Sequence, residues 1–354
     1  MWADNLMLVT FQTLGHLATL INEHKLANKI PELKKSTDVL ARRKYIPTNF
    51  ETQIGKKEDF EGKIISLNPE SHETIKCYTD GSKTEHGVGC SYVIRGENYM
   101  KHKPLSLVNH ASVFQAEIMA INKACEQLIE DGTLNKTIEF HVDSQAAIKA
   151  VGKYLQKSEL VGNTKEKISK VAEQNKVIIT WIPAHVGFTG NEIADRLAKL
   201  GAKNPRNQEK LEVGVSKKYY RNSIRVWGTK QHQKRWDNRT EYRQTGMMLP
   251  KVDHKCWQII SKFNRRKMMH VTQIITGHNT LSRHLALMNI KEDPICEKCE
   301  EGPETIEHLI KNCPAYHQKR YEKFGEYFLK KELHEYKLQK IISFVTSTGR
   351  LGEE

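Results

Sequence analysis

Several things are scarce in this chain of 354 residues, and each scarcity excludes something. There is no apolar run approaching the roughly 18 residues a membrane span needs. The richest stretch, Leu6 to Ile21, is broken by Thr10, Gln12, Thr13, Gly15 and His16. It is preceded by Asp4 rather than by the basic start of a secretory leader. Cysteine is sparse and odd in number: Cys77, Cys90, Cys125, Cys256, Cys296, Cys299 and Cys313. Three of these lie on apolar strand or helix faces, which argues against a disulfide framework and for a reducing, intracellular setting in nucleus or cytoplasm. No long-period repeat and no low-complexity tract interrupts the chain. Acidic residues are in deficit, with 42 Asp and Glu against 56 Lys and Arg and a formal charge of +14. A polyanionic partner is the natural complement of that balance, nucleic acid above all.

The excess charge is localised. Ser216 to His270 holds 15 Lys and Arg against the acids Asp237, Glu241 and Asp253. Glu73 to Lys203 is close to balanced, at 17 basic and 15 acidic residues. The basic surface therefore follows the best-patterned part of the chain and does not coincide with it.

Hydrophobic periodicity over Thr74 to Lys203 predicts strands at Ile75–Asp80 and Gly87–Arg95, with Tyr99–Lys103 closing a meander. Ala111–Glu130 reads as a helix, with Phe114, Ile118, Ile121, Cys125 and Leu128 at steps of three and four. A strand at Thr137–Val142, helices at Ser144–Leu155 and Thr164–Asn175, a strand at Val177–Ile182 and a helix at Asn191–Leu200 complete the order. This alternation predicts an α/β unit with a mixed five-stranded sheet flanked by helices.

Four acids stand out against that pattern: Asp80 in CYTDGSK, Glu117 in VFQAEIMAI, Asp143 in FHVDSQAAI and Asp195 in NEIADRLAK. Each lies at a strand end or on a helix face where a hydrophobe is expected. Buried carboxylates are costly unless a cation neutralises them. Four that converge suit two hard cations with oxygen ligands, Mg²⁺ or Mn²⁺. Singly, each has an ordinary reading: Asp80 as a turn residue before Gly81, Glu117 as a solvated helix position, Asp143 as an N-cap, Asp195 as the i,i+4 partner of Lys199.

YTDGSK, FQAEIMAI, VDSQAAI and WIPAHVGFTGNEIADRLAK resemble the four motifs of ribonuclease H, in that family's order, across about Thr74 to Lys203. The resemblance implies hydrolysis of the RNA strand of RNA–DNA hybrids by two metal ions, leaving 5′-phosphate and 3′-hydroxyl ends. It implies that His185 assists proton transfer or phosphate release. Gly81, Ser82, Gln115 and Asn191 become candidates for contacts to sugars and backbone. Related folds also cut DNA, and a second expectation is a non-catalytic, nucleic-acid-binding relic. With the cluster described next, the chain looks like the C-terminal part of a non-LTR retrotransposon polyprotein, although residues 1–70 carry no recognisable polymerase palm or endonuclease.

CEKCEEGPETIEHLIKNC sets Cys296, Cys299, His308 and Cys313 as C-x₂-C-x₈-H-x₄-C, three thiolates and one imidazole suited to a closed structural zinc site. The spacing resembles a retroelement zinc knuckle with a longer middle loop, and His317 is a competing ligand. A segment this short reads as dependent on metal for folding. Trp227, Trp236 and Trp257 interleave the basic stretch, where they could stack single- or double-stranded nucleic acid or serve as core, core being favoured for Trp257. The expected division is a partial helical subdomain or linker at 1–70, with a helix near Leu6–His24, and a ribonuclease H domain at 71–204. A basic helical region at 205–285, a zinc-knuckle module at 286–320 and a charged helical tail at 321–354 follow.

Overall fold

The computed structural model describes residues 26–60, 66–184, 186–204, 209–238, 243–252, 258 and 260–351. The chain forms two compact units, Met1–Arg225 and Val226–Glu354. The helix expected near Leu6–His24 lies outside the described residues.

The first unit is built on strands β1 (Val39–Tyr45), β2 (Glu51–Gln53), β3 (Thr74–Thr84), β4 (Gly87–Arg95), β5 (Met100–Leu107), β6 (Thr137–Val142), β7 (Leu155–Ser158) and β8 (Lys176–Trp181). Its helices are α1 (Val113–Glu130), α2 (Gln145–Val151), α3 (Glu159–Ala172) and α4 (Thr189–Lys203). The main sheet runs β2-β8-β6-β3-β4-β5, with β3, β6, β8 and β2 parallel to one another and β4 and β5 antiparallel. The expected mixed sheet with flanking helices is present, with six strands rather than five. The additional strand, β2, is a polar tripeptide exposed at every position. It has no apolar alternation to announce it, and backbone pairing to β8 makes it a strand.

The segment 1–70, expected to be a partial helical subdomain or a linker, contributes β1 and β2 and only single helical turns among its described residues. β1 pairs antiparallel with β7, a second strand absent from the sequence reading. The helix expected at Ser144–Leu155 ends at Val151, and the next starts at Glu159 because Ser158 caps it by accepting from the Val161 N–H. β5 continues past the expected Lys103 to Leu107. Pro104 is tolerated inside it because β5 is the sheet edge, where a missing N–H breaks no ladder on the open side.

The two faces of the sheet follow strand alternation. Cys77 of β3 and Cys90, Tyr92 and Ile94 of β4 join Ile118, Ile121 and Cys125 of α1 and Ile168 of α3 in one core. Tyr78 and Val93 face the other way, with Phe188 just before α4 and Ala194 within it. α4 approaches closely because Gly190, Gly89 and Gly201 have no side chains: a Cβ on Gly190 would come within 2.5 Å of the Tyr78 ring. Here three of the cysteines, Cys77, Cys90 and Cys125, are buried free thiols.

Helix α5 (Lys217–Asp237) carries the division between the units. Beyond it lie α6 (Arg243–Met248), α7 (Arg265–Thr276), α8 (Ser282–Leu287), a wide turn at His308–Asn312, α9 (His317–Phe324) and α10 (Leu338–Thr348). One apolar cluster unites Met248, Val271, Ile274, Leu281, Cys296, Leu309, Cys313, Leu333, Ile341 and Phe344. The cysteine-rich segment is therefore not a separate small module, and the tail is not merely a charged helix. α10 supplies buried Ile341, Ile342, Phe344 and Val345 at helical spacing. Among the described residues, no helix is long and apolar enough to cross a membrane.

Candidate active site

Strand register creates the first half of the site. β3 and β6 pair in parallel as far as Thr79↔Val142, so the next residues on the two strands, Asp80 and Asp143, come side by side. Asp80 does not end its strand, as the DG dipeptide suggested; β3 runs on to Thr84 against β4. Trp181 of β8 holds the Asp143 backbone, its indole N–H donating to the Asp143 carbonyl at 2.9 Å.

Helix α1 brings Glu117. Ser112 and Gln115 form a capping box that starts the helix. Gly81 lets it come close: a Cβ there would lie 2.4 Å from the Glu117 N and 2.7 Å from the Ala116 carbonyl carbon. Gly81 is thus a packing necessity where α1 meets β3.

One oxygen each from Asp80, Glu117 and Asp143 lies within 4.8 Å of the other two. Asp80 Oδ2 and Glu117 Oε2 are buried with no hydrogen-bond partner. Burial, then the neighbouring Asp143 and Asp195, push the Asp80 carboxyl up to about 7. Burial, Asp143 and Asp80 push Glu117 well above the ordinary range. Orphaned carboxylate oxygens that repel one another fit hard divalent cations, which remove the repulsion and satisfy the lone pairs.

Asp195 is not in that triad. It lies on α4, near enough to raise Asp80, and forms an ion pair with Lys199 at 2.7 Å. Asn191, on the same helix, is buried; its Nδ2 stands 3.5 Å from Asp143 Oδ2 and its Oδ1 has no partner. Ser82 is half-buried one residue beyond Gly81. Gln115 points inward: its Nε2 donates to the Gly214 carbonyl at 2.8 Å and to Asp38 Oδ2 at 3.3 Å. Its expected role at the substrate is corrected to a structural one, since those contacts consume its donors. His185 lies outside the described residues.

The second ligand cluster is separate. Cys296, Cys299, His308 and Cys313 place their ligand atoms within 4.8 Å of one another. The Cys296 and Cys313 sulfurs are 3.9 Å apart, and Cys299 Sγ is 3.3 Å from His308 Nε2. A tetrahedron with metal–ligand bonds of about 2.0–2.3 Å has edges near these lengths. Burial and the adjacent thiols push Cys313 up to about 12, and burial lowers His308. Such a soft, crowded donor set suits Zn²⁺. The spacing reading found all four ligands but missed what supports them. Glu304, fully buried, accepts from Arg350 and from the Ser282 N–H. Arg320, also fully buried, donates to the carbonyls of Ile310 and Cys313 at 2.7 Å. His317 bonds the Pro314 carbonyl through Nδ1 instead of joining the cluster. Trp236 donates to the Leu249 carbonyl, Trp227 is half-buried, and Trp257 lies outside the described residues.

Residues 72–203 match the RNase H family model. The chain is 31% identical over 156 residues to the Pol polyprotein of equine infectious anemia virus (isolate 1369), a match covering 44% of this chain and 13% of that one. It is 26% identical over 215 residues to the retrovirus-related Pol polyprotein from type-1 retrotransposable element R1 of Popillia japonica, covering 60% of this chain and 81% of that sequence. Among solved structures, RNase H1 from the halophilic archaeon Halobacterium salinarum NRC-1 aligns with 22% identity and a TM-score of 0.30, covering 36% of this chain and 96% of that one. The chain thus spans a small part, 13%, of the viral polyproteins it matches. It carries an RNase H domain and is homologous to retroviral and R1 retrotransposon Pol polyproteins.

Proposed function

We propose that the RNase H domain of this chain is an active endoribonuclease that hydrolyses the RNA strand of RNA–DNA hybrids, as part of or derived from a retrotransposon reverse transcriptase polyprotein. The observation that carries the reading is the Asp80–Glu117–Asp143 triad, with two buried oxygens lacking any protein partner. Nothing in the packing of the sheet requires those oxygens to face one another, and their mutual repulsion is a cost the fold bears. Divalent Mg²⁺ or Mn²⁺ ions held by the triad, with Asp195 completing the set after release from Lys199, would supply Lewis-acid activation and charge neutralisation at the phosphodiester.

The protein's own groups have distinct tasks. Asp80 and Asp143 are fixed by strand register and Glu117 by the glycine contact, so the ligands are held before substrate arrives. Asn191 points its amide at the same place and is placed to orient a substrate oxygen. Ser82, two residues after Asp80 on β3, is assigned a contact to a 2′-hydroxyl; selectivity for RNA would come from such sugar contacts and not from base edges. His185, between β8 and α4 in sequence, is assigned proton transfer or release of the cleaved phosphate by its family position. A zinc ion on Cys296, Cys299, His308 and Cys313 is proposed as structural, leaving no open position for chemistry.

The test is cleavage of an end-labelled RNA–DNA hybrid in Mg²⁺ by wild type and by Asp143→Asn. The wild type should yield 3′-hydroxyl ends, and the variant should be slower by about 10³-fold, the equivalent of several kcal/mol of lost charge stabilisation. Indistinguishable rates would sink the proposal.

A further inference from the structure

Beyond hybrid cleavage, and independent of it, we infer that the exposed aromatic surface of Tyr321, Tyr327 and Phe328 is a base-stacking shelf for single-stranded nucleic acid. The three side chains are 47%, 49% and 52% exposed, unusual for large rings that have a core close by. Tyr321 and Tyr327 stack on each other with centroids 4.6 Å apart and planes 16° from parallel, so the pair presents flat faces to solvent. His317 approaches Tyr327 at 6.0 Å and extends the run of rings.

The surface is built and held. On α9, Arg320 and Phe324 point inward while His317 and Tyr321, four residues apart, share the outward face. Phe324 packs edge-on against Tyr336 and Phe344 and anchors the helix. Gly325 ends the helix in the left-handed region, at φ 76°, and returns the chain so that Tyr327 lies over Tyr321. Arg320 fixes the return: its guanidinium donates to the Tyr327 carbonyl and, on its other side, to the carbonyls of Leu309, Ile310 and Cys313. It also lies 5.7 Å from the Phe328 ring centroid. One buried cation therefore ties the shelf to the turn that carries Cys313. Preorganised rings lose little entropy when a base stacks on them.

Charge selects the partner. From His317 to Lys331 four exposed lysines, Lys319, Lys323, Lys330 and Lys331, stand against Glu322 and Glu326; Lys330 and Lys331 follow Phe328 closely in the chain, while Lys319 and Lys323 lie on another face of α9. Exposed aromatic faces on a segment of net positive charge match a flexible strand whose bases are unstacked and whose phosphates lie outside them. A duplex hides its base faces and gains nothing from the shelf. None of these aromatics lies in the Trp-bearing basic stretch, so the sequence pattern did not point to them.

The experiment measures fluorescence anisotropy of the full chain with labelled tracts of roughly twelve nucleotides, a size suited to short stacking platforms. The tracts are oligo-dT, oligo-U and an abasic strand of the same length, in about 0.2 M salt to suppress purely ionic binding. Wild type should bind either base-bearing strand at least about ten-fold more tightly than the abasic one. Tyr327→Leu should erase most of that preference, Tyr327→Phe should keep it, and the dependence on salt should not change, since no phosphate contact is lost. Tighter binding of oligo-U than oligo-dT would assign the shelf to RNA, and equal binding to either strand. Tyr45→Leu, which removes an exposed ring stacked on Tyr154 in the other unit, should leave the preference intact. An abasic strand bound as well as the base-bearing ones, or a preference that survives Tyr327→Leu, would overturn the inference. Because hybrid cleavage is assayed separately, failure here leaves the carboxylate site untouched.

Discussion

The two clusters of ligand-type side chains meet the same burial penalty in different ways. The carboxylate triad gathers at the central strands β3 and β6 and on α1, beside a core that is complete without it. Strand register, a cap and one glycine contact assemble it, so the protein part should stand without metal and the acids simply wait, partly protonated. The Cys₃His cluster is inside the core of its unit, with Cys296 and Cys313 among the buried apolar residues themselves. Its ligands are held by turns, and the surrounding polar groups, Glu304 with Arg350 and Arg320 with its carbonyls, serve the backbone near them. One donor set is assembled by backbone pairing and suits hard ions; the other is enclosed in the core of its unit and suits a softer one.

That contrast can be broken most directly at the acids. Asp80→Asn should fall in hybrid cleavage by about 10³-fold, like Asp143→Asn, whereas Asp195→Asn should cost less because that side chain stands outside the triad and is neutralised by Lys199. An Asp195→Asn loss equal to Asp80→Asn, in the same assay, would put Asp195 on equal terms with the triad.

Next in size is chelation. A strong zinc chelator, or Cys296→Ser, should lower the melting transition of the Val226–Glu354 unit and leave that of the first unit in place. The loss should amount to several kcal/mol, less than the ~10 kcal/mol typical of zinc-dependent peptides, because an apolar cluster remains. Two transitions that respond alike in calorimetry would erase the distinction between the units.

Gly81→Ala sharpens the account of how Glu117 reaches Asp80. Its Cβ would meet α1 backbone, which cannot give way like a side chain, so a loss of about 1–3 kcal/mol in stability is expected, with weaker Mg²⁺ binding by titration calorimetry. Normal metal affinity in that variant would mean that the close approach does not matter.

The smallest effect is in pH. The folded form raises Asp80 from 3.8 to about 7, so between those values the folded state holds the extra proton and the unfolded state does not. Without divalent ions, this group therefore makes the first unit less stable as pH rises from about 4 to about 7. Mg²⁺ removes the repulsion, so its stabilising shift in melting temperature should be larger at pH 8 than at pH 5.5. A shift that is equal at both, or larger in acid, contradicts the sign.

Much of this was legible in the chain because it depends on short-range periodicity. Alternation marked β4, three- and four-residue steps marked α1, and the acids stood out by interrupting those patterns. C-x₂-C and H-x₄-C set two pairs of ligands through local geometry alone. What could not be read depends on partners far away in sequence. β2 has no pattern of its own and exists by pairing with β8. Gln115 resembled a site residue by its place beside Glu117, yet Asp38 and Gly214, 77 and 99 residues away, draw it inward. The tail looked charged because its apolar residues fall on one helix face, and only a core to receive them shows their use.

The residue sequence by itself determined that this chain carries four acids in ribonuclease H order and a Cys₃His set, because motif and spacing are properties of neighbouring residues. Only the tertiary structure decided that three of the acids meet while Asp195 turns to Lys199, that Gln115 is a strut, and that rings from α9 and the chain after it form an exposed stack. Those outcomes come from strand register, close helix approach and buried hydrogen bonds between segments, where distant residues compete for the same partner and the packing settles which one takes it.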